Sequence, residues 1–250
     1  MERLEYHRMF EAEESFWWYR SLRRTMLTLL DPYLPEEGGW RILDAGCGTG
    51  GFLIKLSHWG RIIGMDVAPL ALELAKRRGS WDLIQGGVQS VPVASESMDL
   101  VVSMDVLYHK EVPDDREALA ELVRCLRPGG WLCLNLPAFN WLKSSHDIAI
   151  HTARRYTRKD LSDLLSSQPL HVHRLTHWNM FLFPLAVMVR LLRTTRHEDS
   201  SDVRPLPQLL NNTLESILKI ESKILARADL PIGLSVAAVA QKLPAGGTRS

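Results

Sequence analysis

Apolar residues recur along this chain in short blocks whose spacing switches between the helical and the extended period. Residues 5–30 carry helical spacing, and Pro32, Pro35 and the Gly38-Gly39 pair then break the chain. Beyond the break, strand and helix signals take turns. Residues 41–45 read as a short apolar strand and 51–59 as a helix. Residues 62–65 read as a strand, and 68–78 as a helix that opens near Pro69. Residues 82–85 form a weak strand, and 100–104 a nearly continuous apolar one, as a parallel strand buried on both faces requires. Asp114 and Asp115 place carboxylates at the start of a helix that runs to 126. Pro128-Gly129-Gly130 reads as a turn, followed by a strand at 131–136, a helix at 157–166, an edge-like strand at 171–176 and a last strand at 232–241.

This alternation predicts an α/β fold, doubly wound around a largely parallel sheet. Residues 178–230 depart from it, because stretches 180–192 and 207–227 are both helix-like. In the second, Leu210, Leu214, Ile217, Leu218, Ile224 and Leu225 mark one helix face. The expected organisation is a helical cap at 1–37, an α/β core at 38–177, a helical insertion at 178–230, and the last strand with a tail at 231–250.

Composition narrows the functional classes. The 250 residues are 46% hydrophobic and 24% charged, enough to bury a full core. Thirty basic against 29 acidic side chains leave a net charge of +1, which argues against a broad nucleic-acid surface. Cys47, Cys125 and Cys133 form no C-x-x-C pair, so neither a disulfide framework nor a zinc cluster is expected, and a cytoplasmic setting fits. His171 and His173 share a strand face without an evident third ligand, so no metal is expected. The start of the chain is polar and unlike a signal peptide. The apolar run at 181–189 is interrupted by Pro184 and is shorter than the roughly 20 residues a membrane span needs.

The richest chemistry lies in Ile42-Leu43-Asp44-Ala45-Gly46-Cys47-Gly48-Thr49-Gly50-Gly51. A strand runs into glycines and then a helix, which leaves room for a ligand against free backbone N–H groups. Gly46, Gly48 and Gly51 also satisfy the dinucleotide pattern G-x-G-x-x-G. Asp44, two residues before the first glycine, would repel a pyrophosphate and favour a ligand bearing an ammonium and a sulfonium. Asp66 closes the next strand, where an acid can accept both ribose hydroxyls of a nucleoside; a plain helix cap is the competing role.

Taken in order, these segments resemble class I S-adenosylmethionine-dependent methyltransferases, and most closely the bacterial group acting on small molecules. The matching stretches are the glycine turn from Asp44 to Gly50, Gly64-Met65-Asp66, Met98-Asp99-Leu100-Val101-Val102, Asp105-Val106-Leu107-Tyr108-His109 and Leu126-Arg127-Pro128-Gly129-Gly130. The resemblance implies a Rossmann-like sheet of seven strands with the last antiparallel, and S-adenosyl-L-methionine as cofactor. It implies that Asp44 and Gly46 bound the methionine part, that Asp66 binds ribose, and that the start of the 103–109 loop lies beside the methyl group. The candidate cofactor residues are Asp44, Gly46, Cys47, Gly48, Gly50, Asp66, Val67, Gly87, Val88 and Met104. One departure stands out: Gly87 occupies the place where the family usually has an acid for the adenine amino group, leaving Val88 backbone groups or Gln89 to take that role.

An activated methyl group asks the protein chiefly for orientation and exclusion of water. A hydroxyl acceptor would also want a base, for which His109 is the first candidate and His151 the second. Trp18, Tyr19, Tyr108, Arg154, Arg155 and Tyr156 are candidate substrate-side residues. Trp17 and Trp18 are adjacent and cannot share one helix face, so one of them is free to meet a ligand or partner surface. The insertion, with the N-terminal helices and residues 137–156, is expected to cap the cofactor. Its apolar content suggests a hydrophobic or lipid-linked small-molecule substrate. Arg190, Arg193 and Arg196 beside an apolar stretch also fit peripheral contact with an anionic membrane, and a homodimer interface fits equally. Two other classes stay open on sequence grounds: an NAD(P)-dependent oxidoreductase and a non-catalytic nucleoside-binding module.

Overall fold

The computed structural model describes residues 3–36, 38–143, 147, 151–192 and 206–244. Two helices, α1 (Arg3–Ala12) and α2 (Trp17–Leu30), precede the sheet, with a break between them inside the single helical stretch expected at 5–30. The strands are β1 (Trp40–Ala45), β2 (Gly60–Asp66), β3 (Asp82–Gln85), β4 (Met98–Met104), β5 (Leu126–Pro137), β6 (Leu170–Trp178) and β7 (Ser235–Lys242). Between them run α3 (Leu53–Leu56), α4 (Pro69–Lys76), α5 (Asp115–Cys125), α6 (Arg158–Ser166), α7 (Phe183–Leu192) and α8 (Gln208–Leu225). The helix expected at 51–59 is only one α turn followed by a 3₁₀ turn at Ser57–Trp59. β5 begins five residues earlier than expected, because Gly129, at φ +79°, lets Pro128-Gly129-Gly130 run through the strand.

The seven strands lie in the order β3-β2-β1-β4-β5-β7-β6, with β7 antiparallel to both neighbours. The order reverses between β1 and β4, and the crevice outside the carboxyl ends of those strands is where an open α/β sheet binds its ligand. Alternate residues of each central strand face opposite layers. Val101 joins Leu119 and Leu122 of α5 and Leu161 and Leu165 of α6. Leu100 and Val102 join Met26 and Leu29 of α2, Leu53 and Leu56 of α3, and Leu218 and Leu225 of α8.

Local chemistry sets the helix starts. The Asp114 carboxylate accepts the N–H groups of Arg116 (2.8 Å) and Glu117 (3.2 Å) and caps α5. Thr157 and Asp160 cap α6 reciprocally.

One helix of the insertion, α8, is fixed by contacts with both the N-terminal helices and the turn after β6. α8 lies alongside α2 in the layer that covers one sheet face. Glu215 pairs with Arg20 (3.0 Å) and Arg24 (2.5 Å), and the Asn211 side chain accepts the Trp17 N–H (2.9 Å) and donates to the Ser15 carbonyl (3.0 Å). Glu221 of α8 accepts the N–H groups of Asn179, Met180 (2.8 Å) and Phe181 (3.0 Å), fixing the turn from β6 into α7. Arg193 and Arg196 lie outside the described residues. Among the described residues, no helix is long and apolar enough to cross a membrane, and no group of three or more His, Cys, Asp or Glu could hold a metal ion.

Candidate active site

The turn after β1 is built from left-handed backbone. Gly46, Gly48 and Gly50 have φ of +93°, +53° and +85°. Gly46 and Cys47 both donate N–H groups to the Met65 carbonyl, at 2.7 and 2.9 Å, which ties the turn to β2. A Cβ on Gly46 would stand 2.1 Å from Cγ2 of Val106, so the turn lies directly against the loop that follows β4.

Asp66 is buried at the end of β2. Its two oxygens accept the Gly48 and Ala68 N–H groups, each at 2.9 Å, so one carboxylate holds both the glycine turn and the start of α4. Each oxygen retains a further lone pair for a ligand hydroxyl. Asp44 is only 2% exposed, and its carboxylate accepts no hydrogen bond from the described residues. Burial, reinforced by the charges of Glu13 and Asp66, pushes its pKa up to about 8. Burial likewise raises Asp66, against the pull of its backbone donors. Among these carboxylates Asp44 is desolvated with no cation acting on it, and a cationic ligand would stabilise its charged form.

Sequence reasoning did not find the group that closes this turn from above. Glu13, between α1 and α2, accepts the Thr49 hydroxyl and the Gly51 N–H (3.2 Å) and pairs with Arg78 at 3.1 Å. Arg78 donates to the Thr49 carbonyl (2.8 Å) and the Phe10 carbonyl (2.6 Å) and lies 4.3 Å from the centroid of the Phe10 ring. α1 thereby covers the glycine turn, with Tyr6 buried near Asp66.

The other expected site residues separate into two groups. Trp18, Tyr19, Gly46 and Met104 are half-buried around the crevice, and Trp18 stacks on Trp178 at 4.9 Å. Cys47, Gly48, Gly50 and Val88 are buried in or beside it, whereas Val67 is exposed. Gly87 is half-buried, and the Gln89 amide N–H₂, one candidate for adenine, donates to the Glu111 carbonyl.

The polar cluster at 154–156 is engaged within the protein. Arg155 is buried and forks onto Asp147 at 2.8 and 3.0 Å. Arg154 pairs with Asp115 (3.1 Å) and donates to the Val112 carbonyl (2.7 Å). Tyr156 donates to Asp115 at 2.7 Å. These contacts fasten the segment to the turn that holds Tyr108 and His109. Tyr108 is buried, and its ring stacks with that of His109 at 4.6 Å. Burial pushes His109 down to about 4. His151 is half-buried with φ +57°, and its carbonyl accepts the Lys110 N–H at 2.9 Å.

Comparison with known proteins agrees with this geometry. Residues 43–134 match the family model described as a methyltransferase domain. A tRNA U34 carboxymethyltransferase of Methylococcus capsulatus is 39% identical over 113 residues, 42% of this chain and 34% of that protein. A phthiotriol/phenolphthiotriol dimycocerosates methyltransferase of Mycobacterium tuberculosis is 33% identical over 102 residues, 38% of this chain and 37% of that protein. The alignments thus span little more than a third of either relative. A crystal structure from Thermotoga maritima, described as an S-adenosylmethionine-dependent methyltransferase and possible histamine N-methyltransferase, superposes with a TM-score of 0.57. It is 20% identical, covering 95% of this chain and 94% of that one. Residues 43–134 thus match the methyltransferase domain model, within a seven-stranded sheet whose fold is that of the Thermotoga maritima structure.

Proposed function

We propose that this chain transfers the methyl group of S-adenosylmethionine to a hydroxyl of a hydrophobic small molecule. The observation that carries the reading is the Asp44 carboxylate, buried without a hydrogen-bond donor at the carboxyl end of β1. A ligand with cationic sulfur and nitrogen supplies the missing charge; a pyrophosphate would add repulsion, which disfavours the NAD(P) alternative. Bound S-adenosylmethionine supplies a methyl group already activated on a sulfonium. Asp66 would hold the ribose and Asp44 with the Gly46 turn the cationic end, while α1, latched by Glu13, excludes water.

The hydrophobic character of the acceptor is supported by an apolar rim after the carboxyl ends of β5 and β6. Phe139 stacks on His177 (5.2 Å) and meets Phe183 (5.9 Å), Trp141 meets Phe183 (6.0 Å), and Trp141, Phe181, Leu185 and Met188 are exposed. The relative named for phthiotriol substrates accords with a lipid-like acceptor; the relative named for tRNA U34 makes RNA the principal rival. Contact with an anionic membrane and self-association are further uses of this rim. Salt-dependent sedimentation with anionic vesicles and a sedimentation-velocity run separate them.

The test is incubation with S-adenosylmethionine bearing a labelled methyl group, a protein-free metabolite extract and, separately, bulk tRNA. Label appearing in an organic-extractable, base-stable ether supports the proposal. Label confined to tRNA, or none transferred despite cofactor binding, contradicts it.

A further inference from the structure

β4 is followed by a residue with an unusual backbone. Asp105 has φ +58°, a conformation that a non-glycine residue holds only when its surroundings impose it, and one that clusters at functional sites. Its N–H donates to the Asn135 carbonyl at 2.9 Å, and its Oδ1 accepts the Asn135 amide at 2.9 Å. Asn135 is itself fully buried, and its Oδ1 accepts the indole N–H of Trp178 at 2.7 Å. An indole can only donate, so the Asn135 amide is oriented and must present its N–H₂ to Asp105. One carboxylate oxygen is therefore fixed in place through a chain that ends on the Trp18–Trp178 stack. The other oxygen accepts no hydrogen bond from the described residues.

Asp105 follows the carboxyl end of β4, beside the crevice. Asp105 is half-buried between half-buried Met104 and Val106, and Val106 is the side chain against which the Gly46 turn rests. The charged and titratable groups near it are Tyr19 of α2, Tyr108 of the following turn and Arg155, whose own charge is shared with Asp147. Neither tyrosine brings a charge at neutral pH, and Arg155 is committed elsewhere.

We propose that Asp105 is the general base of the methyl transfer, its free oxygen taking the proton of the acceptor hydroxyl. This rests on the functional reading above and assigns the proton to a residue other than the two histidines. The acceptor O–H bond breaks, its proton passing to Asp105, while a bond forms between the acceptor oxygen and the methyl carbon. The bond from carbon to sulfur breaks with its electron pair on sulfur. A cationic donor and an anionic carboxylate become a neutral thioether and a neutral carboxylic acid, which returns its proton to solvent. Burial outweighs the Asn135 bond and the Arg155 charge and holds this carboxyl at about 7. A base poised there is matched to neutral pH, whereas the His109 imidazole, held at about 4, is a weak proton acceptor.

The experiment compares wild type with Asp105→Asn, which keeps the shape and an oxygen for the Asn135 amide. S-adenosylhomocysteine binding is read by calorimetry, side-chain carboxyl titration by carbon NMR in its presence, and transfer to the metabolite extract by label. The expected result is S-adenosylhomocysteine affinity within about 3-fold of wild type. A carboxyl resonance titrating between pH 6 and 8 should be absent from the variant, and the variant should lose at least 100-fold in transfer. A variant that loses affinity 30-fold or more makes Asp105 a ligand for the cofactor and overturns the proposal. A carboxyl that titrates below pH 5, or a variant that keeps its rate, also overturns it. Wild type that binds no S-adenosylhomocysteine overturns the functional reading itself, a result distinct from the other three.

Discussion

Glu13 and Arg78 form an ion pair of 3.1 Å in which both side chains are at most 10% exposed, and the pair joins α1 to the carbonyl and hydroxyl of Thr49 in the glycine turn. Removing Glu13 leaves Arg78 only the longer contact with Glu14 (3.6 Å) as a charge partner, a loss of about 1–3 kcal/mol. Glu13→Ala is expected to lower the denaturant midpoint and to weaken S-adenosylhomocysteine binding at least 10-fold. Equal affinity in the variant, read by calorimetry on folded protein, would separate the latch from the ligand site.

Gly46 admits no side chain. Its φ of +93° is left-handed and a Cβ would meet Val106 at 2.1 Å. Gly46→Ala is expected to abolish measurable S-adenosylhomocysteine binding and to reduce stability by about 2 kcal/mol or more. Restoring binding in Gly46→Ala by Val106→Ala, with only the strain of φ remaining, tests whether the clash is the dominant cause.

Asp44 ties stability to pH in a stated direction. Its folded pKa of about 8 lies above the unfolded carboxylate value, so the native state holds a proton that the unfolded chain releases. The contribution is present in full at acid pH and is lost as pH rises through about 8. Asp105, at about 7, adds to the same slope. The ligand-free protein should therefore melt at a lower temperature at pH 8.5 than at pH 6, and Asp44→Asn should flatten that slope. Affinity for S-adenosylmethionine should rise over the same interval as the carboxylates ionise.

Glu221 satisfies three consecutive backbone donors, at Asn179, Met180 and Phe181. Glu221→Ala should cost about 1–3 kcal/mol by urea unfolding, because the buried Asn179 N–H and the part-buried Met180 and Phe181 N–H groups lose their acceptor. The same variant should loosen the turn between β6 and α7, detected as faster amide exchange at 179–181.

Much of this was legible in the sequence wherever one short segment carries its own physics. The glycine turn, Asp44, Asp66 and the Asp114 cap each sit in a short segment whose residue types mark it. The seven-stranded sheet with an antiparallel last strand followed from the family resemblance rather than from periodicity. What the sequence hid are pairs made by folding. Glu13 meets Thr49 and Arg78, and Asp105 meets Asn135, across long stretches of chain with no spacing rule. The apolar face at 210–225 marked a helix correctly but could not name α2 as its partner. Arg154, Arg155 and Tyr156 illustrate the converse: basic and aromatic residues on the ligand side whose hydrogen bonds are taken up by Asp115 and Asp147.

The central claim is that the crevice between β1 and β4 takes a cationic adenosyl ligand against uncompensated carboxylates. Parallel calorimetric titration of the intact protein with S-adenosylmethionine and with NADH tests it most directly. The account predicts saturable heat with S-adenosylmethionine, lost in Asp44→Asn and Asp66→Asn, and none with NADH. Saturable binding of NADH with no heat from S-adenosylmethionine would contradict it.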